Sequence, residues 1–494
     1  MKSLVKLQAY SFISRMAAML LGVVQTFVIV RVLSVSDWGV VQLAASIGGA
    51  FGIYQHLGLA SGSTREISAA KDDKEVFKIF ITGVTIRYLV TVPIAIFLFF
   101  SADNIALETY HNPALILPIK IYGLVLLVGG VQGILNSVIS GTKRFKQLFI
   151  YQAAISLVSV CIYIPSVYFF KINGYFYALA LFNLIGSLTL SIIAFKPYIG
   201  KLELPSWGDF KRLFKELLSI SLAIYIAKII YTWWEKSGAL LLGLDLSAES
   251  VAFFSFALLY GKKLMLVSDS VTTVNLPILS EKYTKNLVEF RQLFTDNFNK
   301  LYVFILGAGF FAVFWAREVF HILVGGSKYD TSLPLVLPLV FAFVFYSFVN
   351  IIKSSIVIPA KRVSIMISSF VAMIVVTVAG FLLTKNALDP LISMSYFVAL
   401  GSLVGLLFMS FFSSSDLNLK IFGWKHLLLF AQVLGMSLTF MIQGLGLKFL
   451  LFVVFFLLYC WAVSLSGFLT KEHVLTAKRM LLSKLTSLTS RFCK

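Results

Sequence analysis

The first apolar stretch of the chain, YSFISRMAAMLLGVVQTFVIVRV from Tyr10 to Val32, decides how the rest of the sequence is interpreted. As an α-helix of about 23 residues it would extend roughly 35 Å, enough to cross about 30 Å of hydrocarbon. It carries Arg15 well over one turn inside its first end. A guanidinium at that depth is unfavourable in lipid, so we expect Arg15 to face a protein interior or a water-filled cavity.

The composition extends this interpretation to the whole chain. Of 494 residues, 59% are hydrophobic and only 13% are charged, whereas a soluble protein carries about 25% charged residues. The sequence therefore predicts an all-α polytopic membrane protein. Its net charge of +20 would suggest a nucleic-acid partner in a soluble chain. Here we expect none, because Lys and Arg collect in cytosolic loops and attract anionic membrane lipids.

Hydropathy predicts about fourteen transmembrane helices, and an even number places both termini on one side of the membrane. Of the 42 Lys and Arg residues, 28 lie in stretches assigned to the cytosol and four in the opposite loops, at Lys171, Lys328, Lys385 and Lys448. This asymmetry predicts cytoplasmic termini. The predicted spans lie near residues 10–32, 38–60, 78–100, 114–140, 148–170, 174–195, 216–242, 251–275, 300–324, 332–358, 364–384, 390–413, 426–444 and 448–469.

An internal repeat suggests two six-helix lobes. The sequence around Asp37 matches that around Glu249, and the pair Lys143-Arg144 after span four matches Lys361-Arg362 after span ten. Because six spans is an even number, the lobes would be related by a pseudo-two-fold axis along the membrane normal, with a site at their interface. The predicted divisions are an N-lobe (1–195), a cytosolic interfacial linker (196–215), a C-lobe (216–413), two extra helices (414–469) and a basic amphipathic cytosolic tail (470–494).

Cations inside predicted spans are the candidates for a ligand-binding cavity. Such side chains suit a compact anion, because Arg offers a bidentate fork and Lys a mobile point charge. Each could instead snorkel to the membrane surface or form half of a buried ion pair. Lys262 and Lys263 are adjacent on a helix and cannot both point straight into one cavity. The candidates are Arg15, Arg87, Lys228, Lys262 and Lys263.

Two acids within predicted spans, Glu235 and Asp269, each lie seven residues after a candidate lysine. They serve either local charge balance or ion coupling, in which an acid takes up H⁺ or Na⁺ and releases a neighbouring base. Arg65 would lie at the cytosolic end of span two, as an inner gate or as an ordinary cytosolic base. His56 could join a proton path or form a helix–helix contact. The sequence contains no nucleotide-binding P-loop, metal-ligand cluster or nucleophile motif, so no enzyme, cofactor or metal is expected.

Three short motifs carry a family resemblance: SDWG after span one, GLASGSTREI at Gly58–Ile67, and SGTKRF at Ser140–Phe145. The chain resembles Wzx-type polysaccharide-unit flippases, the PST family of the MOP exporter superfamily. The resemblance implies a bacterial inner-membrane protein that moves undecaprenyl-diphosphate-linked oligosaccharides, such as O-antigen units, to the periplasmic leaflet by ion-coupled alternating access. It also implies a polysaccharide polymerase and a chain-length regulator as candidate partners.

Two alternatives belong to other functional classes. A MATE-like cation-coupled exporter of small molecules shares the superfamily, but such cavities are typically richer in acids than in bases. A membrane-embedded polymerase or ligase usually needs a sizeable periplasmic loop. The longest predicted external loop here, near Ser101 to Asn112, has only about a dozen residues, which argues against that class.

Overall fold

The computed structural model describes residues 18–200, 203–219, 222–417, 419–442 and 444–468. Within these ranges every regular element is a helix, which confirms the predicted all-α class. Arg15 and the predicted tail at 470–494 lie outside the described residues. The principal helices are α1 Ala18–Val32, α2 Val35–Gly52, α3 Leu59–Ala69, α4 Asp73–Phe100, α5 Ile116–Gly130, α6 Gln132–Gly141, α7 Phe145–Phe195, α8 Trp207–Ser219, α9 Leu222–Asp245, α10 Ala248–Lys262, α11 Met265–Lys285, α12 Leu287–Phe314, α13 Ala316–Val324, α14 Leu333–Ile352, α15 Val363–Thr384, α16 Pro390–Leu417, α17 Trp424–Ser437 and α18 Leu445–Ser466.

In the described part of the chain, nine helical stretches are long and apolar enough to cross a membrane. A helix satisfies its own backbone hydrogen bonds, which the hydrocarbon region of a bilayer requires of any segment that crosses it. With several such apolar helices, this is a multi-pass membrane protein. One stretch, α7, has 51 residues and a backbone reversal at Lys171, where φ is 52° and ψ is −131°. It forms two antiparallel halves, and the sequence had predicted two spans there, near 148–170 and 174–195.

The described chain forms two compact units. The first consists of residues up to Phe256 together with Phe320–Ser332 and Thr377–Met394. Its core includes Leu59, Ile79 and Ile134, which are almost fully buried and join α3, α4 and α6.

The second unit consists of Ala257–Val319, Leu333–Val376 and the chain from Ser395 onward. Its centre is α14, an almost continuously apolar helix in which every residue from Leu335 to Ile352 is buried. Phe290, Phe294 and Phe298 stack in series on α12, with successive ring centroids 6.3 and 5.5 Å apart.

The matched pairs Lys143-Arg144 and Lys361-Arg362 both form the end of a helix, and they do so with the same backbone conformation. Lys143 and Lys361 both adopt a left-handed conformation, with φ of 59° and 57°. The amide of Arg144 donates to the carbonyl of Ile139, and that of Arg362 donates to the carbonyl of Val357, both at 3.0 Å. Each end is a Schellman motif, in which left-handed backbone lets the last carbonyls find donors. Lysine replaces the usual glycine at both positions.

Several predicted spans are interrupted in the structure, by single residues at Val131 and Trp315 and by longer breaks in two other spans. The prediction of one helix over 38–60 is wrong, because α2 ends at Gly52, a single 3₁₀ turn covers Ile53–Gln55, and α3 begins at Leu59. Leu57 and Gly58 have φ of 44° and 70°, which no right-handed helix accommodates. The predicted span over 251–275 is likewise divided by a turn at residues 263–264. Hydropathy registers both as continuous because the interrupting residues are mostly apolar or flanked by apolar residues.

The predicted linker contains helix α8, which is clasped to the beginning of α4 by ion pairs. Lys78 Nζ lies 2.8 Å from Glu203 and 3.2 Å from Asp209. Hydrogen bonds from Lys78 lower the pKa of both carboxyls below their usual range. Trp207 remains 75% exposed at the start of α8. Such a helix, with exposed aromatic and basic residues, is typical of a membrane interface.

Candidate functional site

The break between α2 and α3 creates a polar site inside the first unit. Carbonyls at a helix end lack intrahelical donors and must find others. The hydroxyl of Tyr225, on α9, lies 3.2 Å from the carbonyl oxygen of Ile53 and 2.8 Å from that of Tyr54. The tyrosine thereby supplies a donor to the non-helical backbone between α2 and α3.

His56 occupies the break itself and accepts a hydrogen bond from Arg87 of α4. The distance from Arg87 Nη2 to His56 Nδ1 is 3.3 Å. A guanidinium can only donate, so Nδ1 is unprotonated and the imidazole is the neutral tautomer with its proton on Nε2. Protonation of His56 at Nδ1 would therefore break this hydrogen bond and place two cations in contact.

Arg87 is buried without an acid. Its side chain is only 2% exposed, and Nε has no hydrogen-bond partner. Among the residues that the structure describes, no carboxylate forms an ion pair with it. An uncompensated guanidinium at this depth is unfavourable by about 2.5–3.5 kcal/mol on insertion scales. An unneutralised, desolvated guanidinium is a strong hydrogen-bond donor to an incoming anion.

Lys228 of α9 adds a second, accessible positive charge. Its charge interacts with those of Arg87 and a protonated His56. Lys228 is exposed, His56 is half-buried and Arg87 is buried. We call these three residues the cationic cluster. In the described ranges the ammonium of Lys228 has no hydrogen-bond or ion-pair partner, which leaves its full charge available to a ligand.

Polar and aromatic residues frame the cationic cluster. Thr91 donates both to Gln55 Oε1, at 3.2 Å, and to the carbonyl of Arg87. Gly133 of α6 leaves room for the guanidinium, because a Cβ there would lie 2.7 Å from Arg87 Nη1. On the accessible side, Trp233 Nε1 donates to the hydroxyl of the exposed Tyr54 at 2.9 Å. The two rings give the site an aromatic border.

Of the cations singled out from sequence, the structure brings Arg87 and Lys228 together. Lys262 and Lys263 belong to the second unit, at the end of α10 and in the turn that follows. Lys263 is exposed and its charge interacts with that of Lys262. Arg65 lies on α3 with a 65% exposed side chain, 3.9 Å from Glu66. Exposure and a neighbouring acid are consistent with either role considered for Arg65.

The two predicted acids have different surroundings. Glu235 lies 3.5 Å from Lys236, the next residue of α9. Asp269 belongs to the second unit, where the amide of Asn350 donates to its Oδ1 at 2.7 Å. Lys353, in a π-helical turn directly after α14, attracts Asp269 electrostatically.

Three cations that sequence reasoning left as span-end or loop residues have specific partners. Arg31 Nε donates to the carbonyl of Leu323 at 2.8 Å, and Lys328 Nζ donates to that of Val30 at 3.0 Å. Each base thus caps the carbonyl end of a helix from the other half of the sequence, a favourable position for a cation. Lys448 is 1% exposed and lies 2.7 Å from Glu318. In the sequence each of these bases is visible only as a cation near an apolar segment. A base that snorkels to the membrane surface has the same pattern, so the sequence could not identify the specific partners.

The part of the chain that the structure describes contains no group of three or more His, Cys, Asp or Glu residues arranged to hold a metal ion. The site is therefore defined by its cations, its single histidine and its aromatic border.

The fold is similar to those of two kinds of membrane protein. The lipid II flippase MurJ, in an inward closed conformation, aligns with a TM-score of 0.69 and 14% identity over 93% of this chain and 98% of that one. An inward-facing multidrug resistance MATE family transporter of the MOP superfamily aligns with a TM-score of 0.66 and 12% identity, covering 81% of this chain and 94% of the transporter. No curated protein matches the sequence. A family model described as "Polysaccharide biosynthesis protein" matches residues 28–334, which is more than half of the chain, so this membrane protein belongs to the polysaccharide biosynthesis protein family.

Proposed function

We propose that the protein is a flippase that moves undecaprenyl-diphosphate-linked oligosaccharides from the cytoplasmic to the periplasmic leaflet of a bacterial inner membrane. The observation that carries this proposal is the cationic cluster: a buried Arg87 without an acid, the neutral His56 and the exposed Lys228. Membership in the polysaccharide biosynthesis family and a fold similar to a protein named as a lipid II flippase support it.

The chemistry of the cluster fits a diphosphate. A diphosphate concentrates negative charge on a few oxygens, and charge-assisted hydrogen bonds to Arg and Lys are about twice as strong as neutral ones. Lys228 would meet the phosphate first, and movement of His56 would then open Arg87 to it. Tyr54 and Trp233 would contact the adjoining sugar, because aromatic rings offer an apolar face with a polar edge. The polyprenyl chain would stay in lipid.

Alternating access requires contacts that close one side and can be broken. The reciprocal caps formed by Arg31 and Lys328 suit that role, since they join the end of α1 to the segment that follows α13. The distribution of Lys and Arg predicts that this end of α1 lies on the periplasmic side and that both termini are cytoplasmic. We propose that these caps hold the periplasmic gate closed.

We propose that ion coupling depends on an acid that lies close to a lysine and holds it by charge attraction. Asp269, held by Asn350 and attracted to Lys353, could take up a proton and so release the lysine. Glu235 has Lys236 as the corresponding neighbour. We propose H⁺ or Na⁺ as the driving ion. A polysaccharide polymerase and a chain-length regulator would be the partners that use the translocated product.

A second candidate is a MATE-like exporter of small molecules, which the structural similarity to a MATE transporter favours. The sign of the charge distinguishes the two candidates. MATE-like cavities are expected to be acidic, whereas the cationic cluster would repel a cationic drug.

The test is transport of a fluorescent undecaprenyl-diphosphate-linked oligosaccharide across proteoliposomes. We expect Lys228→Gln and Arg87→Gln each to lower the transport rate at least tenfold. The matched control is Lys120→Gln, because Lys120 is a cation of the same unit whose ammonium already lies 3.1 Å from Asp103 at the exposed surface. Wild-type rates in both cluster variants would refute the proposed site. Ion-driven export of a cationic dye, without movement of the lipid-linked sugar, would favour the exporter.

A further inference from the structure

A second cavity lies away from the cationic cluster, between the two halves of α7. The halves touch at the reversal, where a Cβ on Gly174 would overlap the carbonyl oxygen of Ser166. Toward the other end the halves separate, so that long side chains span the gap. Tyr151 reaches the carbonyl of Gly186 at 3.1 Å, and Arg144 reaches that of Ala194 at 2.8 Å. The hairpin is therefore V-shaped.

The open part of the V encloses a cavity of about 740 Å³. This volume lies within the range of roughly 300–1,000 Å³ that is usual for small-ligand sites. Aliphatic side chains form most of its walls, including Ile150, Ala154 and Ile155 from the first half and Ile192 from the second. Ile150 is 59% and Ile192 is 65% exposed, so the cavity opens at the apolar outer surface of the helix pair. In a membrane such an opening faces lipid chains.

One end of the cavity is basic. Lys196 lines it there, beside Gln147, and no acid is among the residues that form its walls. Lys146 is exposed one residue before Gln147. Within the described ranges neither lysine has an acid partner. The cavity thus combines a long apolar wall with a positively charged end, at the level where the chain leaves the membrane toward the cytosolic linker.

We propose that this cavity binds an anionic glycerophospholipid of the cytoplasmic leaflet. One acyl chain would lie between the halves of α7, and the phosphate would contact Lys196. The match of apolar wall to acyl chain and of lysine to phosphate favours this ligand. A second copy of the chain is a poorer occupant, because the walls of the cavity contain no acid that could pair with Lys196 of either copy. This lipid site is independent of the cationic cluster.

The size of the charge effect can be anticipated. A Lys or Arg near the membrane surface attracts an anionic lipid by about 1 kcal/mol, which corresponds to roughly a fivefold preference in binding. We therefore expect the wild-type protein to retain phosphatidylglycerol about fivefold more tightly than phosphatidylcholine. Lys196→Gln should remove most of that preference without altering the fold.

The experiment is native mass spectrometry of the full-length protein, released from detergent after exchange with phosphatidylglycerol or phosphatidylcholine. Ala154→Trp should place an indole in the middle of the apolar wall, obstruct the path of the acyl chain and strongly reduce lipid retention. Its control is Leu157→Trp, on the same helix but outside the cavity and already 56% exposed; this variant should retain lipid as the wild type does. Gel filtration checks that both variants remain folded.

Four outcomes would overturn the lipid site. The first is unchanged retention in Ala154→Trp. The second is equal binding of the two phospholipids by the wild type. The third is a lipid-free dimer that dissociates when Ala154 is replaced, which would assign the cavity to a second copy. Displacement of phosphatidylglycerol by an equal amount of undecaprenyl phosphate would also overturn it, in favour of a polyprenyl chain.

Discussion

Replacing Gly133 by alanine tests whether the position of the Arg87 guanidinium matters for transport. The added Cβ would lie 2.7 Å from Arg87 Nη1, whereas an ordinary contact is at least 3.4 Å. The guanidinium must therefore move by about 0.7 Å. Its hydrogen bond to His56 is already 3.3 Å long, near the upper limit for such bonds, so a movement of this size away from the imidazole would break it.

The expected magnitude follows from the bond that is lost. A hydrogen bond to a charged group contributes about 1.5–3 kcal/mol. If the transport step depends on this geometry, the rate falls by about 10- to 150-fold. Alanine is the better helix former by about 1 kcal/mol, so the loss would not come from a weakened α6. The assay is the proteoliposome transport of lipid-linked oligosaccharide described above.

The matched control is Gly435→Ala in α17. A Cβ at Gly435 would meet no atom within 4 Å, so this variant changes helix propensity alone and should transport normally. A Gly133→Ala protein that is correctly inserted, equally abundant and fully active would refute the reasoning. It would mean that the contact between Arg87 and His56 is structural and has no part in ligand binding.

Three further predictions concern contacts away from the cationic cluster. Removing the helix caps with Arg31→Ala and Lys328→Ala should expose Leu33, which is only 1% exposed in the structure. A cysteine placed at position 33, in a background without other cysteines, should then react several-fold faster with an external membrane-impermeant maleimide. Lys448→Met should destabilise the second unit by about 3–5 kcal/mol, because Glu318 loses its buried partner; a lower midpoint of thermal unfolding that Glu318→Gln largely restores would verify this. The depressed pKa of Asp209 means that its ion pair stabilises α8 above the ordinary carboxyl value of 3.8 and is lost as pH falls through the lower folded value. A fluorophore on a cysteine at position 207 should then report release of α8 from the beginning of α4 in acid but not at neutral pH. An unchanged signal would show that the ion pairs with Lys78 do not hold α8 in place.

The cationic cluster was only partly predictable. Arg87 and Lys228 were evident as bases inside apolar spans, because lipid penalises charge wherever it occurs in such a helix. His56 was visible too, but hydropathy placed it within a continuous span. Its position in a helix break depends on the left-handed backbone of Leu57 and Gly58 and on the hydroxyl of Tyr225, more than 160 residues away in sequence.

The same distinction applies to the bases near span ends. In the sequence, Arg31 is a base near the end of the predicted span over 10–32, where snorkelling would suffice, and Lys448 is a base in a predicted loop. The structure gives Arg31 the carbonyl end of α13 and gives the buried ammonium of Lys448 the half-buried carboxylate of Glu318. Nothing in the local sequence separates these cases, because the partner is supplied by a distant segment.

The sequence by itself determined that this is an all-helical membrane protein. The hydrocarbon of a bilayer disfavours polar side chains and requires each spanning segment to satisfy its own backbone hydrogen bonds. It also specified matching helix ends at Lys143 and Lys361, since a Schellman motif is formed by a few consecutive residues. Only the tertiary structure decided which charges meet, where a span is broken and how far the halves of α7 diverge. Those features depend on side chains and carbonyls brought together from distant segments, which no local pattern records.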